Sequence, residues 1–493
     1  MPSRRVEIKV RRPTGGDSGA WTPRGLTFAV LGVGLVAALV LVGAGTWRRL
    51  TSPSPGSAAA LEPGRPPAAV AVAPVSLVRE RQGDDKRPNI LVVTLCSVRA
   101  DAVGAYGGER VSTPALDALA AEGVRFADAW TTATYTLPSH AALLTGRLPS
   151  AVGVVTPRDT LAAEYTTLPE LLKLYGYSTF AYAPVASRAS FRAGDGLEQG
   201  FDYFEEGFTG RIGPPNLWGP IDEASEPWLL VAHLKEAHRP YNVSLDAASP
   251  AVRAWAEGAM ASDGSMDPDA ALLKAMSNDQ DVAKELRTVY DAGVSAADAS
   301  LGAIVAGARA RGLLGRTVVV VVGDHGEALG EHGHAGHQGF LDAEVLGVPL
   351  VVRPPGGTGG GGVVLTPVSL LDLFPTIAEW AGAVPPADIQ GRSLVGALRG
   401  EESRPAVLVA EAERRAPGSA ARVDRVLRDG SDWLFRTAGG DRLERDGIEV
   451  DDPARMAVLG GLLDARLGAG APVSAPRPPT AAELEALRRE GYW

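Results

Sequence analysis

Five consecutive valines, Val318 to Val322, constrain this chain more than any other stretch. Side chains alternate between faces along a strand, so an unbroken apolar run suits a strand covered on both sides, as in a parallel sheet sandwiched by helices. Gly323 ends the run, and the segment on to His337 reads GDHGEALGEHGHAGH, with four of the chain's seven histidines. Asp324 and His325 are therefore predicted just past the carboxyl end of a central strand, where open α/β sheets build their ligand sites. An Asp-His pair alone is usually a turn. With a buried strand before it and histidines after it, the pair offers a carboxylate and an imidazole suited to a divalent metal.

The rest of the chain supports the same architecture. Asn89 to Leu95 reads as a first central strand, and Thr113 to Gly123 as a helix stopped by glycine. Further helices are predicted over Leu168 to Tyr175 and Val289 to Gly312, and further strands over Trp228 to Ala232 and Pro349 to Val352. This alternation predicts an α/β fold with a large, mostly parallel or mixed sheet between helices. Past Gly400 the texture changes. Short strand candidates at Ala406 to Val409, Arg425 to Leu427 and Trp433 to Phe435, separated by charged turns, predict a small C-terminal α+β subdomain. The polar segment 256–284 reads as a surface insertion.

Residues 1–24 form a basic tail, with six Lys or Arg against Glu7 and Asp17, and Gly25 to Trp47 carries no charge. At 1.5 Å per residue that stretch reaches about 34 Å, enough to cross a hydrocarbon core. No small-x-small cleavage site directly follows it and no cysteine offers a lipid anchor, so we read 25–47 as an uncleaved transmembrane signal anchor. The basic excess before it predicts a single-pass membrane protein with a cytoplasmic N-terminus and a periplasmic or extracellular catalytic domain. Residues 48–86, rich in Pro, Ala, Gly and Ser, read as a tether. The domain proper is predicted over 87–400, the subdomain over 401–467, and a Pro-rich segment with a terminal helix over 468–493.

The net charge of −10 gives no large basic field, which argues against nucleic acid as the main partner. A single cysteine, Cys96, excludes an intramolecular disulfide. An exposed lone thiol outside the cytoplasm would be an oxidation liability, so Cys96 is expected to be buried or coordinated.

All seven histidines fall in three places: His140; His233 with His238; and His325, His332, His334 and His337. Clustering at predicted strand ends and helix starts suits a shared polar site, because imidazole is both a metal ligand and a proton carrier near neutral pH. Thr136 opens a short helix running to Thr145, with Gly146 as its stop, and stands where an N-cap belongs. Two readings of Thr136 stay open. It caps the helix, the reading favoured by the local stretch alone, or its hydroxyl is a nucleophile beside a helix N-terminus that favours an anionic ester.

These residues belong to a wider pattern. Arg87-Pro88-Asn89 and the first strand, Arg99-Ala100-Asp101 with Gly104-Ala105-Tyr106-Gly107, and Thr113-Pro114 through Phe126 come first. Pro138-Ser139-His140 with Leu144-Thr145-Gly146, and His233 with His238-Arg239-Pro240-Tyr241, follow. Asp324-His325-Gly326-Glu327, His337, Val348-Pro349-Leu350, Asp372 with Pro375-Thr376, Gly391-Arg392-Ser393-Leu394 and Gly491-Tyr492 complete it. Taken together, the chain from 87 onward resembles the sulfatases of the alkaline phosphatase superfamily.

The resemblance implies a metal-dependent hydrolase or transferase acting on sulfate or phosphate esters, with a sulfated or phosphorylated glycan or lipid as substrate. It makes Thr136 the nucleophile, where most sulfatases carry a cysteine that matures to formylglycine, a maturation threonine does not undergo. Threonine there is similar to the branch that includes phosphoethanolamine and phosphoglycerol transferases. Asp324 and His325 match metal ligands. His238 and His337 match groups that bind the ester and protonate the leaving alcohol, His140 is counted with the catalytic set, and Arg99 with the substrate-binding set. His332 and His334 match no role and read as solvated loop residues.

Two positions depart from the family pattern. The first metal ligand, an acid directly after the first strand, falls on Cys96. Either a thiolate joins Thr136, Asp324 and His325, favouring zinc or manganese over calcium or magnesium as the single divalent ion; or the metal binds weakly with Asp101 or water helping; or the domain is a pseudoenzyme that binds an anionic glycan, lipid or protein. The second departure is Gly339, near where many relatives have a lysine that contacts the ester.

Overall fold

A computed structural model of the chain describes residues 86–184, 191, 193–208, 217–238, 252–253, 272–273, 275–276, 279–337, 339–401, 407–414 and 422–468. The proposed anchor, the tether and the terminal helix lie outside the described residues, as do most of segment 256–284 and residues 239–241 of the family pattern. Among the described residues no helix is long and apolar enough to cross a membrane.

The valine run is strand β6 (Thr317–Gly323), and it lies beside β1 (Asn89–Leu95), which is flanked on its other edge by β5 (Trp228–Leu234). Every residue of these three strands is buried. Alternate residues feed two cores. Ile90, Val92, Val318 and Val320 pack with Leu137, Ala141 and Leu144 of the helix Thr136–Thr145. On the opposite face Leu91, Val93, Val319 and Val321 pack with Leu286, Val294 and Ile304 of the long helix Gln280–Ala310. Burial on both faces is why these strands tolerate no alternation of apolar and polar residues.

The full sheet also contains β2 (Val124–Trp130), β3 (Ser178–Pro184), β4 (Tyr203–Phe208), β9 (Gly347–Arg353), β10 (Gly362–Val364) and β11 (Val368–Ser369). Its order is β10-β2-β9-β6-β1-β5-β3-β4, with β11 also on β2. All pairings are parallel except those of β9, which runs against both β2 and β6. A mostly parallel, mixed sheet between helices is thus the architecture, as expected. A small hairpin, β7 (Ala328–Leu329) with β8 (Ala335–Gly336), decorates the loop after β6.

Helix boundaries differ from the periodicity reading in one large way. The helix predicted from Val289 begins at Gln280, nine residues earlier, where Asp279 caps it through the Asp281 N–H. Its Asp298 carboxylate accepts from the N–H groups of Ala115 and Leu116 (3.0 and 2.9 Å), capping the helix Pro114–Glu122 from outside.

The C-terminal unit is a meander of β12 (Leu408–Arg414), β13 (Arg422–Asp429), β14 (Asp432–Thr437), β15 (Gly440–Arg445) and β16 (Ile448–Glu449), antiparallel throughout. Leu427, Leu434 and Leu443 pack on Leu459 and Leu463 of the helix Pro453–Gly468, and the same apolar cluster includes Ala142, Leu148 and Leu371 of the main sandwich. Glu411 N–H donates to Thr132 O (2.9 Å), tying this sheet to the segment that precedes Thr136.

Candidate active site

Strand register assembles the site. Leu95 pairs with Gly323, so the next residues along, Cys96 and Asp324, emerge side by side at the carboxyl ends of β1 and β6. Thr94 pairs with His233 of β5, which brings a second histidine to the same end. The chain after Cys96 turns sharply. Ser97 has a left-handed backbone (φ 59), held by the Tyr290 hydroxyl, which donates to Ser97 O and accepts from the Arg99 N–H (both 2.9 Å). In that conformation the Ser97 N–H donates to Asp324 Oδ1 (3.2 Å), and the His325 N–H adds a second bond to the same oxygen (2.8 Å). Among the described residues Asp324 Oδ2 is buried without a hydrogen-bond partner.

Thr136 is the first residue of its helix, not its cap. Tyr135, extended at φ −132 and ψ 148, occupies the cap position, and no side chain caps the helix. Freed from capping, the Thr136 hydroxyl lies 3.3 Å from His325 Nε2 and 3.4 Å from Cys96 Sγ. The other His325 nitrogen, Nδ1, faces the Gly326 carbonyl at 2.9 Å. A carbonyl only accepts, so Nδ1 carries the proton and Nε2 presents a lone pair to Thr136. Ser139, one turn on, donates from Oγ to Asp324 O (2.7 Å), fastening the helix to the loop.

One donor atom each from Cys96, Asp324 and His325 lies within 4.8 Å of the others, and all three residues are buried. A thiol, a carboxylate oxygen without a hydrogen bond among the described residues and 3.8 Å from His325 Nε2, and an imidazole lone pair form a set that fits a borderline divalent metal. Without such an ion the Cys96 thiol is pushed up, first by burial and then by the Asp324 charge, and stays protonated. The pKa of Asp324 is lowered despite burial: the charges of His325, His233 and His140 contribute whenever those rings are protonated, and the Ser97 N–H contributes throughout.

Three imidazoles crowd the front of this cluster. The His337 ring centroid is 4.2 Å from that of His325 and 5.1 Å from that of His238. His337 Nδ1 donates to Glu327 Oε2 (3.0 Å), and Glu327 is fully buried. This pairing leaves Nε2 as the nitrogen for proton exchange. Burial, then Lys235 and His337, lower the pKa of His238.

The remaining expected residues are placed differently. His140 contacts the backbone of Thr136 and not its hydroxyl: Nδ1 donates to Thr136 O (2.8 Å) while Nε2 meets Thr94 Oγ1 (3.0 Å) and the ring stacks on Phe191. Arg99 is not brought to the cluster. Its guanidinium is taken up by Asp101, Glu331 and Glu327 O, so it braces the metal-side loop. Asp101, weighed as a helper for the metal, is the exposed partner in that pair. His332 lies on the surface by Glu344, and His334 stacks on Phe340 and pairs with Asp342, in keeping with loop roles. Gly339 adopts φ 77 and its N–H donates to Thr134 Oγ1 (3.3 Å).

Sequence reasoning gave no role to Glu327 or Lys235. Lys235 is close enough to act electrostatically on Cys96, His233 and His238, supplying positive charge that Gly339 does not. Its signal was legible: a cation directly after the buried strand WLLVAHL stands at the ligand-binding end of the sheet.

A carboxylate, an imidazole and a hydroxyl thus converge at the carboxyl ends of a doubly covered sheet, the end at which such folds bind their ligands. The chain belongs to the sulfatase family, whose model matches residues 88–383. It is similar to an ulvan-active sulfatase of Formosa agariphila, at 26% identity over 64% of this chain and 66% of that one. Human arylsulfatase A is 29% identical over 64% of this chain and 69% of its own. The chain thus spans about two thirds of the length of these curated relatives. The crystal structure of a phosphonate monoester hydrolase of Agrobacterium radiobacter shares the fold, with a TM-score of 0.59 at 20% identity over 82% of this chain and 96% of that one.

Proposed function

We propose that this chain is a metal-dependent sulfuric ester hydrolase of the sulfatase family that acts on a sulfated glycan and uses Thr136 as nucleophile. The observation that carries the reading is the Thr136 hydroxyl at 3.3 Å from the His325 lone pair and 3.4 Å from Cys96 Sγ, beside the unpartnered Asp324 Oδ2. Cys96, Asp324 and His325, with Thr136, would hold a single ion. Bound there, a divalent metal lowers the pKa of a hydroxyl and neutralises charge on ester oxygens. The thiolate donor favours zinc over calcium or magnesium.

The residues of the chain divide the work. Thr136 Oγ gives up its proton to solvent and attacks the sulfur, forming an O–S bond as the bond between sulfur and the alcohol oxygen breaks. The start of its helix favours the anionic group. The leaving oxygen takes a proton from His337, which Glu327 holds in register for that transfer, while the neutral His238 ring contacts the ester. Water then releases the sulfate from Thr136. A glycan substrate is supported by the ulvan-active relative. The uncharged stretch 25–47 and its basic flanks support a membrane-anchored enzyme with its catalytic domain outside the cytoplasm.

The purified chain, assayed with nitrophenyl sulfate, phosphate and phosphodiester and with or without zinc or manganese, should show metal-dependent sulfate release. Thr136→Ala should lower it by roughly 10³-fold or more while leaving the far-ultraviolet circular dichroism unchanged. Turnover that is independent of metal, or that survives in Thr136→Ala, would overturn the reading.

A further inference from the structure

Behind the Thr136 helix a second group of donors is sealed from water. His140, His233 and Asp324 each present one ligand atom within 4.8 Å of the other two. Their exposures are 1%, 0% and 1%. Thr94 Oγ1 joins the two rings, at 3.0 Å from His140 Nε2 and 2.8 Å from His233 Nδ1.

Proton bookkeeping shows that this group is incomplete. His140 Nδ1 faces the Thr136 carbonyl, so it bears the proton and Nε2 bears a lone pair. The only Thr94 hydroxyl proton then goes to His140 Nε2, and His233 Nδ1 must donate to Thr94 Oγ1. His233 Nε2 is left as a bare lone pair, buried and without a partner. Asp324 Oδ2 is in the same position, because both N–H bonds to this carboxylate go to Oδ1. Two orphaned acceptors on neighbouring residues in a dry interior are costly. Something positive would relieve both.

We propose that His140, His233 and Asp324 bind a second divalent metal ion, zinc or a similar borderline metal, so that the Asp324 carboxylate is shared between two ions. Two imidazoles and a carboxylate are a recurrent zinc set; His140 Nε2 would exchange its Thr94 hydrogen bond for the ion, and a water would complete the tetrahedron. The Thr136 residue then lies between the two ions, its hydroxyl on the His325 side and its carbonyl bonded to His140. The inference shares Asp324 with the proposed catalytic ion but rests on different side chains.

Zinc bound to the full chain, counted by mass spectrometry after dialysis, and the absorption of the cobalt-substituted protein test it together. The expected result is about two ions per chain, falling to about one in His233→Gln and in His140→Gln, while the cobalt–thiolate band from Cys96 persists. Cys96→Ala should lose that band and keep about one ion. The zinc X-ray absorption of the unaltered protein gives a reading that needs no variant to fold: about one sulfur per two zinc ions is expected, and one sulfur per zinc overturns the proposal. Two ions that both survive His233→Gln also overturn it. Absence of the thiolate band with one ion lost in His233→Gln would sink the Cys96 site and leave this one standing.

Discussion

The histidine cluster at the sheet's carboxyl end and the C-terminal meander are both rich in polar groups, yet they stand in opposite solvents. In the cluster, Asp324, His325 and Glu327 are 0–1% exposed, and each hydrogen bond is a short link to a specific neighbour. In the meander, Arg436, Arg442 and Arg445 pair with carboxylates while keeping 28%, 43% and 41% of their side chains exposed. Where water is absent, an unpaired oxygen or nitrogen is expensive and its presence carries information. Where water is present, a pair replaces hydration of similar strength and carries little. The orphaned atoms Asp324 Oδ2, His233 Nε2 and Glu327 Oε1 therefore point to ligands in the first region. The dense ion pairing of the second points to a solvated packing surface.

The sharpest way to break this contrast is Glu327→Gln. The change keeps shape and removes one negative charge that holds the His337 Nδ1 proton. Gln can offer its amide nitrogen to the ring and favour the wrong tautomer. Turnover should fall by about 10²-fold or more, carried by kcat with KM little changed, while the melting temperature moves by a few degrees at most. An equal loss in stability and in turnover would make Glu327 a packing residue and dissolve the contrast.

Much of the dry region was readable from residues alone. The valine run and the strand ending at Leu95 follow from apolar runs that only a doubly covered sheet can bury, and the resemblance to the sulfatases implied Cys96 beside Asp324. What periodicity could not supply was direction and side-chain aim. Strand β9 looks like its neighbours in sequence but runs against them, because Val348, Leu350 and Val352 fit a buried strand in either direction. Thr136 was legible as a helix start but not as an uncapping residue, since one position separates the two roles. Arg99 has the charge expected of an ester contact, and only the fold reveals that Asp101 and Glu331 claim it first. Strands β2, β3 and β4 lay unread because VRFADAW, STFAYAP and YFEEGF lack the strong apolar run of β6.

Glu331 lies between the two regimes. Its side chain is 23% exposed, and it receives Arg99, Arg287 and the Leu329 N–H. Burial works to raise its pKa, but the Arg99 charge and hydrogen bond outweigh that and hold it near 2, against an ordinary 4.5. A folded pKa below the unfolded one means that the unfolded chain binds more protons. The stabilisation is therefore complete above about pH 4.5 and disappears as the pH falls toward 2. Glu331→Gln should lose about 2 kcal/mol at pH 7, and the gap between variant and parent should narrow in urea unfolding followed from pH 6 down to pH 3. A constant gap across that range would mean that geometry, not charge, is what Glu331 contributes.

The smallest effect belongs to the wet side. Arg436 donates to Asp441 (2.9 Å) and pairs with Asp464, whose side chain is 66% exposed. Three charges in one network would suggest a strong contribution if pairs were counted. The physical expectation is the reverse, because each charge gives up little water on pairing and the long arginine side chain loses rotamer freedom. Arg436→Met, which keeps most of the aliphatic stem, should destabilise by less than about 1 kcal/mol, shrink further in high salt, and leave sulfate release unchanged. Urea unfolding at low and high salt reads this directly. A salt-independent loss above about 2 kcal/mol would show that the meander's charges are desolvated, and the solvent contrast on which the metal inferences rest would no longer separate the two regions.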